Sequence, residues 1–313
     1  MKTRKLLSVL CAAACLTLGT PLLVSAAAQS SDPSVEAAQE VGWRKDSKGE
    51  YYASKENYTG PIQLPDGIYY LKDGYKQQGA IKVQIGQNLL RVGEFYYFDP
   101  ALSGRLRTGW SGPVKPSSSN SWYYFNEDGR LSTGWLTNLK GERYYGSPSD
   151  AHLFCNGSTT QRIPGYTGKF LIFDKQCRLV CNQIYQFNGK TYYLNADGIG
   201  SPGVVQSGSQ MKAFNSMGSL ILGKAGPYKI NGTYYFLDNA GNCLRGYKMD
   251  PDTGKYYYAK LDYTLMISSL HHVNGKLFYF NRYGTRVSNT RTTVNGKTYY
   301  FGSDGAAVKN KWV

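Results

Sequence analysis

Histidine is nearly absent from this chain, with His152, His271 and His272 the only three in 313 residues. Two are adjacent, and the third stands near Asp150 and Cys155 in an irregular stretch, so general acid–base chemistry has little to draw on. No Gly-x-Ser-x-Gly elbow and no zinc-protease motif occurs. Of six cysteines, Cys11 and Cys15 lie near the start, leaving Cys155, Cys177, Cys181 and Cys243. The C-x3-C spacing of Cys177 and Cys181 has no second pair to complete a zinc ribbon, so these four are expected to pack or to form one disulfide. No helical periodicity follows the first 28 residues, and no apolar run after Val24 is long enough to span a bilayer. Together these absences point away from catalysis, a resident metal or cofactor, and a stable membrane span.

The first residues have the form of an export signal. Lys2, Arg4 and Lys5 precede an apolar stretch broken by Gly19 and Pro21, and small residues around Ala26 and Ala28 offer a cleavage site. An uncleaved anchor and lipidation at Cys15 are the alternatives. The expected organisation is a signal peptide at 1–28, a polar linker at 29–41, irregular repeats at 42–165 and regular repeats at 166–313.

Acidic residues are few, 21 against 36 Lys and Arg, giving a formal charge of +15. Removal of Lys2, Arg4 and Lys5 leaves +12. That balance favours anionic partners such as teichoic acids or acidic glycans, or else it solvates and protects exposed strand edges. The basic residues are dispersed, without the stripe that a nucleic-acid site needs, so no nucleic-acid partner is expected.

Tyrosine and glycine are abundant, 28 and 36 residues. Many tyrosines come as adjacent pairs, such as Tyr123-Tyr124, Tyr144-Tyr145 and Tyr299-Tyr300. From Phe170 onward the first member of each aromatic slot stands at 170, 192, 213, 234, 256, 278 and 299, in steps of 21 or 22. Before Phe170 the steps are uneven, and the rhythm breaks at 75–93 and 146–168, which read as inserted loops or as degenerate hairpins. Asn-Gly precedes four pairs, at 188, 231, 274 and 295, and Asp-Gly follows several, as at Asp128 and Asp197. Such dipeptides between short apolar runs signal tight hairpins whose central residues take positive φ. The sequence therefore predicts an all-β fold, a solenoid of stacked β-hairpins with a period of about 21 residues, each unit reading strand, turn, aromatic strand, turn, strand. Neighbouring strand residues face opposite ways, so one ring of each pair is expected inside and the other outside.

The run Thr108-Gly109-Trp110 followed by Trp122-Tyr123-Tyr124-Phe125-Asn126-Glu127-Asp128-Gly129, ending at Gly134-Trp135, carries both Gly-Trp and Trp-Tyr-Tyr signatures. With these, the chain from about residue 42 resembles the cell-wall-binding repeats of Gram-positive surface proteins: choline-binding modules, glucan-binding repeats and clostridial-toxin-type repeats. The resemblance implies a secreted or cell-surface protein that binds a wall polymer, such as choline-bearing teichoic acid or a glycan. The alternative is an adhesin or scaffold recognising a host glycan or a partner protein. It also implies choline held between hairpins in an aromatic box, a cation over π-faces. By position the candidate walls are Trp110, Trp122, Tyr124, Trp135 and Tyr145. Leu131 stands where the family often has Met. Later units hold Gly165-Tyr166 and Gly246-Tyr247 in the Gly-Trp slot and are expected to be of the glucan-binding or toxin type.

Overall fold

The structure, a computed structural model, describes residues 41–159 and 163–308. The expected signal peptide and most of the expected linker lie outside the described residues. Inside them the fold is all-β, with one short 3-10 turn at Pro100–Leu102. The expected architecture of paired hairpins is what the chain adopts.

The regular part shows why. Strands Gln183–Phe187 and Lys190–Leu194 pair antiparallel, with Ile184 opposite Tyr193 and Tyr185 opposite Tyr192. The turn between them is Asn188-Gly189, with φ of 48° and 72°. Two consecutive positive-φ residues give a turn whose twist matches the strands it joins, and Asn and Gly tolerate that backbone best. Asn231-Gly232, Asn274-Gly275 and Asn295-Gly296 repeat the geometry. Hairpins begin at Gln183, Gly203, Gly226, Gly246, Ser269 and Thr290.

The second turn departs from expectation. At Asp197-Gly198 only the glycine has positive φ, 78°. The turn is led by Asn195, whose side-chain oxygen accepts from the Asp197 and Ile199 amides at 3.0 and 2.9 Å. Asn215, Asp238 and Asn281 accept in the same way two and four residues ahead. A side chain that holds its own turn removes the need for a second left-handed residue. Cys177 and Tyr263 even take the glycine position, at φ 64° and 69°. The third strand of the expected unit also shrinks, to single bridges such as Leu194–Gly200 and Leu237–Cys243.

Nor does the aromatic pair divide cleanly into an inner and an outer ring. Tyr69 and Tyr70, Tyr96 and Tyr97, and Tyr144 and Tyr145 are buried on both members, while Tyr192 and Tyr193 are half-buried on both. The fully buried residue follows the pair directly at Leu71, Phe98, Phe125, Leu194, Phe280 and Phe301, stands one further on at Phe173 and Leu237, and is the second member of the slot at Phe214. Full burial of such a side chain stabilises by about 1.5–3 kcal/mol, and it anchors the hairpins that carry it.

Successive hairpins are tied through their backbones. The amide after each second turn donates to a carbonyl in the previous unit's aromatic strand: Leu220 to Thr191 at 2.9 Å, Cys243 to Met211 at 2.7 Å, Leu265 to Tyr234 at 2.8 Å and Arg286 to Tyr256 at 2.7 Å. Gly218 sits in this junction at φ 76°, and a Cβ there would stand 2.5 Å from the Tyr193 carbonyl oxygen. Glycine is thus required twice over, for its backbone and for its lack of a side chain.

The earlier part of the chain is built differently. Residues 43–76 form one five-stranded sheet in the spatial order Trp43–Asp46, Gly49–Tyr52, Tyr75–Lys76, Gly67–Lys72, Gly60–Leu64. Residues 79–131 form a six-stranded sheet, and separate two-stranded hairpins begin at Gly134. Both breaks in the rhythm hold hairpins with long connections: Gly79–Lys82 pairs with Phe95–Asp99, and Gly157–Thr159 pairs with Leu171–Phe173. A disulfide joins Cys155 to Cys177, while Cys181 and Cys243 are free thiols. Burial pushes the Cys243 thiol up to about 12, which keeps it protonated and unreactive.

Candidate functional site

The five residues expected to wall one box fall into three separate clusters. Trp110 packs with Phe95, Tyr97, Tyr123 and Phe125, edge-on to the Phe125 ring at 5.0 Å. Trp122 and Tyr124 pack together with Tyr144, Leu136 and Leu153. Trp135 and Tyr145 join a third group with Tyr166 and Phe173. The strand register separates them. Tyr124 lies opposite Pro113 in one hairpin, and Trp135 lies opposite Tyr145 in the next. Tyr145 is 2% exposed and stacks on Phe154 at 5.4 Å, so its ring is spent on packing. Trp110, Trp122, Tyr124 and Trp135 are half-buried.

Several of these aromatic faces already carry a cation from the chain. The Arg107 guanidinium lies 4.4 Å from the Trp110 ring centre, and its Nε donates to Asp99 at 2.8 Å. Arg143 lies 4.6 Å over Trp135 and donates to the Tyr166 hydroxyl at 3.0 Å and to the Asp197 carbonyl at 3.2 Å. Lys76 stands 4.2 Å over Trp43 and 5.6 Å over Tyr69. Arg286 stands 4.3 Å over Tyr256 and 5.7 Å over Tyr247, and it donates to the Tyr247 hydroxyl. Each such contact contributes about 0.5–2 kcal/mol, more as water is excluded. The sequence reading missed all four cations. The signal was present at Arg286. It bridges Phe280 after the turn as Leu131 pairs with Phe125, and so occupies the position where an apolar residue is usual.

Trp122 and Tyr124 differ. Among the described residues no Lys or Arg lies over either ring. Tyr124 meets Tyr144 edge-on at 5.7 Å. Behind them the Tyr144 hydroxyl donates to Glu142 at 3.1 Å, and burial followed by that carboxylate pushes the phenol up to about 12. Glu142 also accepts from Asn138 at 2.7 Å and from Arg178 at 3.0 Å, and these bonds hold its carboxyl below the usual range. It is therefore a fixed negative charge behind an aromatic surface at neutral pH.

A second surface lies between the early hairpins. Two cavities of about 350 and 540 Å³ share Ile68, Leu106 and Thr108 and are flanked by Asp66, Arg91, Arg105 and Asp128. The long connection beside them exposes Ile85, Leu89 and Val92. His152 is tied up by packing: its Nε2 lies 3.0 Å from the Tyr123 hydroxyl and its ring 5.1 Å from the Tyr123 ring. Among the described residues no group of three His, Cys, Asp or Glu is placed to hold a metal ion. No helix among them is long and apolar enough to cross a membrane.

Against known proteins, the choline-binding repeat family matches residues 267–312, and a family described as a cell wall binding repeat matches 117–131 and 185–199. Those segments of the chain are similar to choline-binding and cell wall binding repeats. The fold agrees. CbpJ from Streptococcus pneumoniae superimposes with a TM-score of 0.50 at 22% identity, over 85% of this chain and 100% of that one. Choline binding protein F from the same organism gives 0.51 at 19%, over 85% and 98%. Glucosyltransferase-S of Streptococcus mutans is 26% identical over 250 residues, 77% of this chain, and the chain spans only 16% of that protein's length. The matches correct one expectation. The choline-type signature is not confined to the tryptophan-rich run, since its longest match lies in the last units, whose aromatic slots hold Tyr and Phe.

Proposed function

We propose that this is an exported, non-catalytic surface protein that binds a cell-wall polymer, choline-bearing teichoic acid or a wall glycan, through the aromatic faces of its hairpins. The observation that carries this reading is the half-buried Trp122–Tyr124 surface. It has no cation from the described residues over it, and it is backed by the Glu142 carboxylate. A quaternary ammonium gains from π-faces and from a nearby negative charge together. Choline binding protein F, a structural neighbour, has been crystallised in the presence of a peptidoglycan analogue, which supports a wall-directed role. Of the residues expected to contact ligand, Trp122 and Tyr124 remain the proposed pair.

The test is sedimentation of the purified chain with isolated Gram-positive walls. The chain is expected to pellet with them and to be released by excess choline. Trp122→Ala with Tyr124→Ala is expected to lower the bound fraction at least tenfold while the far-UV spectrum stays unchanged. A chain that remains in the supernatant with every wall preparation overturns the reading. Release by salt but not by choline points instead to an electrostatic grip on wall polyanions, with the early groove flanked by Arg91 and Arg105 as the candidate surface.

A further inference from the structure

Three ring pairs, far apart in the chain and meeting edge-on, tilted and stacked respectively, each lie beside a cation of the chain. Trp43 and Tyr69 meet at 4.9 Å, Trp135 and Tyr166 at 4.9 Å, and Tyr247 and Tyr256 at 5.4 Å. One cation of the chain addresses each pair: Lys76, Arg143 and Arg286 respectively. Each is also anchored to oxygen. Lys76 pairs with Glu50 and donates to the Ser103 carbonyl at 3.0 Å, Arg143 reaches the Tyr166 hydroxyl and the Asp197 carbonyl, and Arg286 reaches the Tyr247 hydroxyl. These cations tie separate units together. Arg143 sits on the hairpin of Trp135 but bonds to residues 23 and 54 positions away, and Arg286 bonds to a tyrosine 39 positions away.

We infer that Lys76, Arg143 and Arg286 act as tethered occupants of these aromatic boxes, so that the chain rejects free choline-class cations there and accepts them only where its own cation is missing. The physical basis is competition at one π-surface. A group fixed to the chain nearby has an effective concentration on the order of millimolar or more, with no translational cost of binding left to meet. A free quaternary ammonium must displace it and also break its hydrogen bonds to oxygen, which the methylated cation has no N–H to replace. The rejected ligand is a quaternary ammonium, and the specificity-determining residues are these three cations. The inference rests on the choline reading only for the identity of the competing cation.

The experiment compares wild type with Arg143→Met and Arg143→Ala, titrated with choline chloride against sodium chloride at equal ionic strength. Intrinsic fluorescence is the readout, and parallel Trp135→Phe versions isolate the Trp135 signal. The variants are expected to gain a saturable Trp135 response with an apparent affinity for choline at least tenfold tighter than wild type, and a larger choline-induced rise in melting temperature. Lys224→Ala, which removes an exposed cation paired with Asp252, is expected to gain neither. Arg286→Met examines a second box independently through melting temperature. Variants that respond to choline no more than wild type overturn the inference. So does a wild-type Trp135 that already responds to low-millimolar choline, a measurement that needs no variant at Arg143. None of these readouts involves walls, so failure of wall sedimentation and failure of this inference are separate results.

Discussion

Asp99 is 1% exposed, and its two oxygens are fully engaged. Oδ1 accepts from the Ala101 amide and from Ser118 Oγ, both at 2.8 Å, and Oδ2 accepts from Arg107. Burial alone would raise the carboxyl's pKa, but the bonds from Ser118 and Arg107 outweigh it and hold the group below its ordinary value. A folded pKa below the unfolded one means that the contribution is fully present above about pH 3.9 and is lost as pH falls through the folded value. Asp99→Asn preserves shape but leaves Arg107 without its counter-charge, at a cost of about 1–3 kcal/mol near neutral pH. Urea unfolding midpoints of wild type and Asp99→Asn are expected to differ clearly at pH 7 and by less at pH 2.5. An equal gap at both values contradicts the account. The same variant is expected to loosen the guanidinium over Trp110, which Asp99 holds in place.

At the scale of the hairpin, the disulfide replaces what glycine does elsewhere. Cys177 occupies a second-turn position with φ 64°, and its bond to Cys155 spans 22 residues. Removing the bond as Cys155→Ala with Cys177→Ala is expected to cost about 2–4 kcal/mol. Cys155→Ala with Cys177→Gly is expected to recover about 1 kcal/mol of that, because glycine adopts the left-handed backbone without a Cβ penalty. Thermal melts of the two double variants check the difference, and equal losses would mean that the turn tolerates either residue. The sequence announced the Asn-Gly turns because both of their residues need an unusual backbone, which few residue types supply. It was misleading at Asp197-Gly198, where the Asn195 side chain supplies the turn and the aspartate is incidental. It was also misleading about the five-residue box. Trp110, Trp122 and Trp135 are close in sequence, but a strand pairing lies between each and the next, and each pairing sends its ring to a different cluster. Arg143 and Arg286 escaped notice because what matters about them is contact with a neighbouring unit, which period and composition do not encode.

Across the whole molecule, cohesion comes from links between neighbouring hairpins, with no shared centre. The hydrophobic clusters run as local groups along the chain, and the amide after each second turn reaches only the preceding unit. Such a chain behaves as a row of coupled units, in which damage spreads to neighbours and then stops. Phe214 is a good place to cut the row. It is fully buried, its ring lies 5.8 Å from that of Tyr193 in the previous hairpin, and it bridges Leu220 after its own turn. Phe214→Ala removes this anchor at a local cost of about 3–5 kcal/mol. Hydrogen exchange followed by mass spectrometry is expected to show lost protection in the strands at 183–194, 203–214 and 226–237, with the strands at 269–280 and 290–301 unchanged. Uniform loss of protection across all of them would show one cooperative unit and would remove the physical basis for treating the hairpins as separable binding elements. Localised loss would mean that Trp122 and Tyr124 can be tested for ligand while distant hairpins are altered, and the reverse.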